Sequence, residues 1–231
     1  MTSMDANKDD ATVTMMIDRL AAAAWDQLAT HSMRDLHIDQ IADQAGIDRG
    51  AARAIAGRES NLILHHITHL DQAAVVESFA DILDAGDVTI REQIMEAILQ
   101  RFEVYAPYRA QIKALDAAAR RDPELGIRLL DSLVQAMRRI LWMAGDDLAG
   151  LRGEARVRGV AIMTMVVAKV WHEDESPDLS VTMKEIDRRL SQAEEWGRSL
   201  RVFGRTGPAP TGDVADPANH DVADASETKW H

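Results

Sequence analysis

Apolar residues recur at spacings of three and four along most of the chain, and the breaks between these runs divide it into helices. The first run, Met16, Leu20, Ala23, Ala24 and Leu28, predicts a helix from about Ala11 to Thr30, after a polar stretch 1–10 expected to be disordered. "IADQAGIDRGAARAIAGRESNLI", Ile41 to Ile63, then reads as two short helices around a tight turn and the start of a third. That third helix runs from about Glu59 to Leu83 with Leu62, His66, His69, Leu70 and Ala73 along it, and "DAGDVT" ends it.

Beyond this turn, Ile90, Ile94, Ala97, Ile98, Arg101 and Phe102 mark a helix to Tyr105, and "APYR" restarts the chain with Pro107 in a first helical turn. Asp122 and Pro123 suit the cap and first position of a helix to Leu141, and "AGDDLAGLRG" reads as a loop. "EARVRGVAIMTMVVAKVW" is apolar on nearly every face between Val160 and Val170, which implies burial all round, in a core or a subunit interface. A last helix carries Ile186, Leu190, Ala193, Trp196 or Gly197, Leu200 and Phe203 on one stripe. Residues 204–231, rich in Pro, Gly, Ala and Asp, read as a disordered acidic tail.

Composition supports helix over sheet: 46% of the 231 residues are hydrophobic and 4% aromatic. The absence of cysteine excludes disulfides, thiolate metal sites and cysteine nucleophiles. A formal charge of -12 argues against non-specific nucleic-acid binding, while leaving room for a small basic face. The acidic, polar N-terminus and the lack of 18 consecutive uncharged apolar residues predict a cytoplasmic protein without a transmembrane segment.

Within the hairpin, Ala42 and Gly46 set the geometry, because the helices cross closely and the turn needs a left-handed backbone. The second helix begins near Arg49, so Arg49, Gly50, Ala51 and Arg53 fall in or near the exposed turns where a recognition helix meets base edges. Arg49 and Arg53 have the reach for bases or phosphates, and Arg58 for a phosphate. Against them, residues 34–62 hold four arginines and five carboxylates, Asp35, Asp39, Asp43, Asp48 and Glu59.

In this arrangement "DLHIDQIADQAGIDRG" resembles the tetracycline-repressor (TetR) family of regulators. The resemblance implies an all-α TetR-like fold: a helix-turn-helix domain over 11–60, a helical ligand-binding and dimerisation domain over 61–203, and a homodimer joined through the last two helices. Where that family usually places a Tyr, an aromatic and a Lys at intervals of three, this chain holds Arg53, Ala56 and Glu59. The family's Tyr and Lys touch phosphates, so Glu59 reverses one contact and Arg53 partly replaces the other.

A second resemblance lies in "DESPDLSVTMKEIDRRL", whose Asp174, Ser176, Pro177, Asp178, Thr182, Ile186 and Arg189 match the lipid-binding accessory proteins of ubiquinone biosynthesis, the Coq-nine family. That family is similar to the TetR fold with DNA binding lost, and the resemblance implies an isoprenoid lipid as ligand. Two functions follow for one fold: a regulator that binds operator DNA and answers to a hydrophobic small molecule, or a lipid-binding accessory protein.

Phe102, Trp142, Met143, Met163 and Trp171 are the candidates for lining a hydrophobic pocket, where thioethers conform to irregular ligands. His65 and His69 lie four apart, yet no glutamate follows His65 and no third ligand is set by spacing, so no metal is expected. No nucleophile triad, phosphate-cradling glycine loop or paired-carboxylate motif stands out, which predicts neither an enzyme nor a cofactor.

Overall fold

The structure, a computed structural model, describes residues 2–85 and 88–200, with side chains over 10–84 and 88–195. Among the described residues the chain forms α1 (Thr2–Leu28), α2 (Ile38–Ala45), α3 (Arg49–Ala56), α4 (Glu59–Ala85), α5 (Ile90–Tyr105), α6 (Arg109–Ala119), α7 (Pro123–Met143), α8 (Gly150–Glu173) and α9 (Ser180–Leu200). A 3-10 turn, Ala106–Tyr108, holds Pro107 between α5 and α6. No strand occurs among these residues, and no helix is long and apolar enough to cross a membrane. The expected tail 204–231, and the stripe positions Trp196, Leu200 and Phe203, lie outside the described side chains.

Helix α1 packs on α2, α3, α4 and α6, while α4 runs from the small three-helix end into contact with α5 and α7. Helices α8 and α9 pair with one another, α8 also resting on α7 and α9 on α5. One apolar core is continuous through all of it, from Leu20, Trp25 and Ile41 to Val157, Trp171 and Ile186. Trp25 of α1 is 1% exposed and stacks on His66 of α4 with ring centroids 5.0 Å apart, locking these two helices together.

Several expectations are corrected. The first helix starts at Thr2, so residues 2–10 are helical where disorder is expected; that stretch contains neither Gly nor Pro to stop a helix. Helix α8 begins at Gly150, inside the expected loop. On α4 the buried face is Leu62, Ile63, Ile67, Asp71, Ala74, Ser78 and Ile82, leaving His69 and Ala73 exposed. Nor is α8 buried all round: Val157, Ala161, Thr164, Val167 and Trp171 form its covered stripe, whereas Ile162 and Met165 are 61% and 50% exposed. Apolar composition there serves two faces, and only one meets this chain.

Two helix starts follow from local chemistry. Asp122 caps α7, its carboxylate accepting from the Glu124 and Leu125 N–H groups at 3.0 and 3.2 Å, with Pro123 at the first position. Thr89 and Glu92 form a reciprocal capping box on α5.

Candidate nucleic-acid interface

The α2–α3 turn is built around Gly46, at φ 64° and ψ 38°. Its N–H donates to the Asp43 carbonyl at 3.2 Å, and the Ile47 N–H to the Ala42 carbonyl at 2.9 Å, closing α2 in a left-handed cap. The Arg19 guanidinium of α1 donates to the Ala45 carbonyl, and a Cβ at position 46 would lie 3.1 Å from it. Small buried residues, Ala42, Ala45, Ala52 and Ala56, let the helices approach, and Ile41 and Ile47 fill the space between. Asp48 starts α3 by accepting the Ala51 N–H at 2.9 Å.

At the start of α2, His37 offers no side-chain cap. The Glu59 carboxylate, reaching from the first turn of α4, accepts the Ile38 N–H at 3.2 Å instead. The charge that looks misplaced for a phosphate contact therefore has an internal task, tying α4 to α2. Ala56, at the position expected to be aromatic, is 5% exposed and belongs to the core of the hairpin.

On the outer side of α3, Arg49, Gly50 and Arg53 are exposed and Ala51 is half-buried. The structure thus brings three of the predicted reading residues onto one open surface. Each arginine is already forked onto a carboxylate of α2. Arg49 donates to Asp43 from Nε at 2.8 Å and from a terminal nitrogen at 2.5 Å; Arg53 donates to Asp39 from Nε at 2.8 Å and from its terminal nitrogen as well. These hydrogen bonds hold both carboxyls below the usual aspartate range and push both guanidinium groups up. Arg58 stands apart from this surface, paired with Glu124 of α7 at 2.9 Å, so it joins the hairpin to the larger helical layer.

The predicted pocket does not assemble. Phe102 and Trp171 are buried against each other with ring centroids 5.4 Å apart, and Met163 is buried, but Trp142 is 76% exposed. The reason is register: Met137, Ile140, Leu141 and Ala144 form the buried stripe, and Trp142 falls off it by a third of a turn. Met143 is half-buried. Neither of two surface cavities, of about 310 and 660 Å³, is lined by any of these five residues. The smaller lies under the hairpin among Met33, Arg34, Arg58, Ser60, Arg121 and Arg128; the larger lies at the α8–α9 corner beside Arg109, His172 and Asp174.

Two polar networks escaped the sequence reading. Buried Asp71 of α4 accepts from Arg101 Nε at 2.8 Å and from the Tyr105 hydroxyl at 3.0 Å, which explains an arginine on the apolar stripe of α5. Burial and the Asp71 charge raise the Tyr105 phenol well above its ordinary value; for Arg101, burial acts to lower it, and the charges and hydrogen bonds of Asp71 and Tyr105 together outweigh this. At the other end, Asp174 is 4% exposed and accepts from the Thr182 N–H at 2.8 Å and hydroxyl at 2.7 Å, and from the Ser176 N–H at 3.0 Å. Burial works against its ionisation, yet these donors win and hold the carboxyl at about 2. Ser176 in turn accepts the Ser180 N–H at 3.0 Å, so the "DESPDLSVT" residues form an interlocked start for α9.

No family model matches the chain, and no curated protein matches it. Solved structures do. It is similar to a TetR transcriptional regulator from Nitrosomonas europaea ATCC 19718, with a TM-score of 0.61 at 14% identity over 78% of this chain and 98% of that one. It is similar as well to a TetR-family transcriptional regulator from Streptomyces coelicolor, with a TM-score of 0.54 at 16% identity over 84% of this chain and 92% of that one. At such identities what is shared is architecture, and the chain has the all-α fold of the TetR-type transcriptional regulators.

Proposed function

We propose that this chain is a TetR-type transcriptional regulator that binds operator DNA through α3. One observation carries the reading: a hairpin closed by Gly46 presents Arg49, Gly50 and Arg53 of a capped helix on one exposed surface. Gly50 leaves the backbone bare for close approach to a groove, and the flanking arginines supply the forks that suit guanine edges and phosphates. Of their present partners Asp43 is exposed and Asp39 half-buried, and ion pairs this open to water exchange readily because water screens them. Docking then replaces each aspartate by a phosphate or base, and the displaced carboxylates keep non-specific binding weak.

Homodimerisation is part of the proposal. The exposed Ile162 and Met165 of α8, with Val181 and Met183 of α9, supply apolar surface on the two helices that pair in this arrangement. The effector remains a hydrophobic molecule in this reading; it reaches the core by parting Phe102 from Trp171, which shifts α5 against α8 and, through α4, the two reading heads.

The alternative, a Coq-nine-like lipid-binding accessory protein, draws on the self-neutralised arginines and on Glu59. Fluorescence anisotropy separates the two. Labelled duplex from the protein's own upstream region is titrated against a scrambled duplex across a salt series. Specific binding that weakens with salt is expected, its slope counting neutralised phosphates. Absence of binding even at low salt, with lipid extracted from the purified protein, overturns the regulator in favour of the accessory protein.

A further inference from the structure

Distant in sequence from the reading helix, Asp18 of α1 meets His65 and His69 of α4. His65 Nε2 lies 2.7 Å from Asp18 Oδ1 and His69 Nε2 lies 3.7 Å from the same oxygen, with the two imidazole rings 4.3 Å apart. All three candidate ligand atoms fall within 4.8 Å of one another. We propose that Asp18, His65 and His69 form a binding site for a divalent transition-metal ion of the zinc, cobalt or nickel type, clamping α1 to α4.

The donor set fits this class. Two imidazole nitrogens and one carboxylate oxygen suit borderline ions and leave coordination positions for water. Ligand bonds of about 2.1 Å at tetrahedral angles put neighbouring donor atoms about 3.4 Å apart. The 3.7 Å separation is close to that value; the 2.7 Å one has to open by rotation of side chains on two already packed helices. Access is present, since the side chains of His65, Asp18 and His69 are 32%, 40% and 48% exposed. A structural hydrogen bond accounts for His65 and Asp18, but His69 stands beyond hydrogen-bond distance of the carboxylate, while still presenting Nε2 towards it. Spacing on α4 provided two ligands, and only the fold, bringing in a residue 47 positions away, provides the third.

The site joins the helix that braces the hairpin to the helix that leaves it, so a bound ion stabilises that junction. The test uses the full, untagged chain. Zinc is titrated against a chromophoric chelator, cobalt is followed by its visible absorption, and thermal unfolding is recorded with and without zinc. One ion per chain is expected, with intense tetrahedral cobalt bands and a zinc-dependent rise in Tm. His69→Gln and Asp18→Asn, each removing a ligand, should weaken binding at least about tenfold and shrink the Tm rise at a fixed zinc concentration in proportion to that loss. His172→Gln, on the exposed side of α8, should leave both unchanged. Circular dichroism confirms that each variant is folded. Failure of the wild type to bind overturns the site, as does zinc binding that is as tight in His65→Gln/His69→Gln as in the wild type.

Discussion

Arginine meets aspartate on the α2–α3 surface and again midway along α4, in opposite surroundings. On the α2–α3 surface the Arg53 and Asp39 side chains are 58% and 34% exposed. Between α4 and α5 the Arg101 and Asp71 side chains are 15% and 1% exposed, with Tyr105 closing over them, the guanidinium 4.6 Å from its ring centroid. The contacts have the same chemistry and similar lengths. Exposure decides what they do: water lets the outer pair trade partners, whereas the inner pair has no competitor and fixes how α5 lies on α4.

The strongest way to break this contrast is Arg101→Met. It leaves the buried Asp71 carboxylate with the Tyr105 hydroxyl as its remaining donor, and removal of one partner from a buried pair costs about 3–5 kcal/mol. Denaturant unfolding should show a loss of that size. The double variant Asp71→Leu/Arg101→Met should recover most of it, because no unpaired charge then remains. A single variant as stable as the wild type would show that this pair does not hold α5 in place.

At the outer pair the readout changes from folding to binding. Arg53→Ala should leave the unfolding midpoint where it is, weaken specific DNA binding, and lower the salt slope by about one. Asp39→Asn sharpens the comparison by releasing Arg53 from its fork, so it should tighten DNA binding and steepen the slope. Anisotropy titrations that find Asp39→Asn indistinguishable from the wild type would mean that the aspartate does not compete with phosphate.

Legibility in the sequence followed the range of the interaction. The helices were readable because apolar spacing of three and four is local, and Gly46 was readable because a left-handed turn needs glycine. The exposed surface of α3 was half readable. Arg49, Gly50 and Arg53 could be placed by counting from the turn, but the Arg53–Asp39 fork spans 14 residues across it, and a charge tally cannot say which carboxylate takes which arginine. Glu59 read as a reversed phosphate contact because its partner, the Ile38 N–H, is a backbone group with no signal in the sequence. Trp142 misled in another way. Its size suggested a pocket, while its position on α7, between the buried Leu141 and Ala144, already placed it off the stripe. Asp71 carried one hint, an arginine at an apolar position of the facing helix.

Asp174 lies between the two extremes and gives the finest test. Like Asp71 it is buried; unlike it, its charge is held by hydroxyl and backbone N–H donors from Ser176 and Thr182. Its carboxyl sits at about 2 against an ordinary 3.8, so the folded state favours the ionised form. Stability from this group is complete above pH 3.8 and is lost as the pH falls towards 2, where the folded form also takes up the proton. Asp174→Asn has no such charge to lose. It should be less stable than the wild type at neutral pH, and the gap should narrow across that acid window. Urea midpoints measured at several pH values provide the check. A gap that stayed constant down to pH 2 would show that the corner depends on the shape of Asp174 alone, and that the start of α9 is insensitive to its charge.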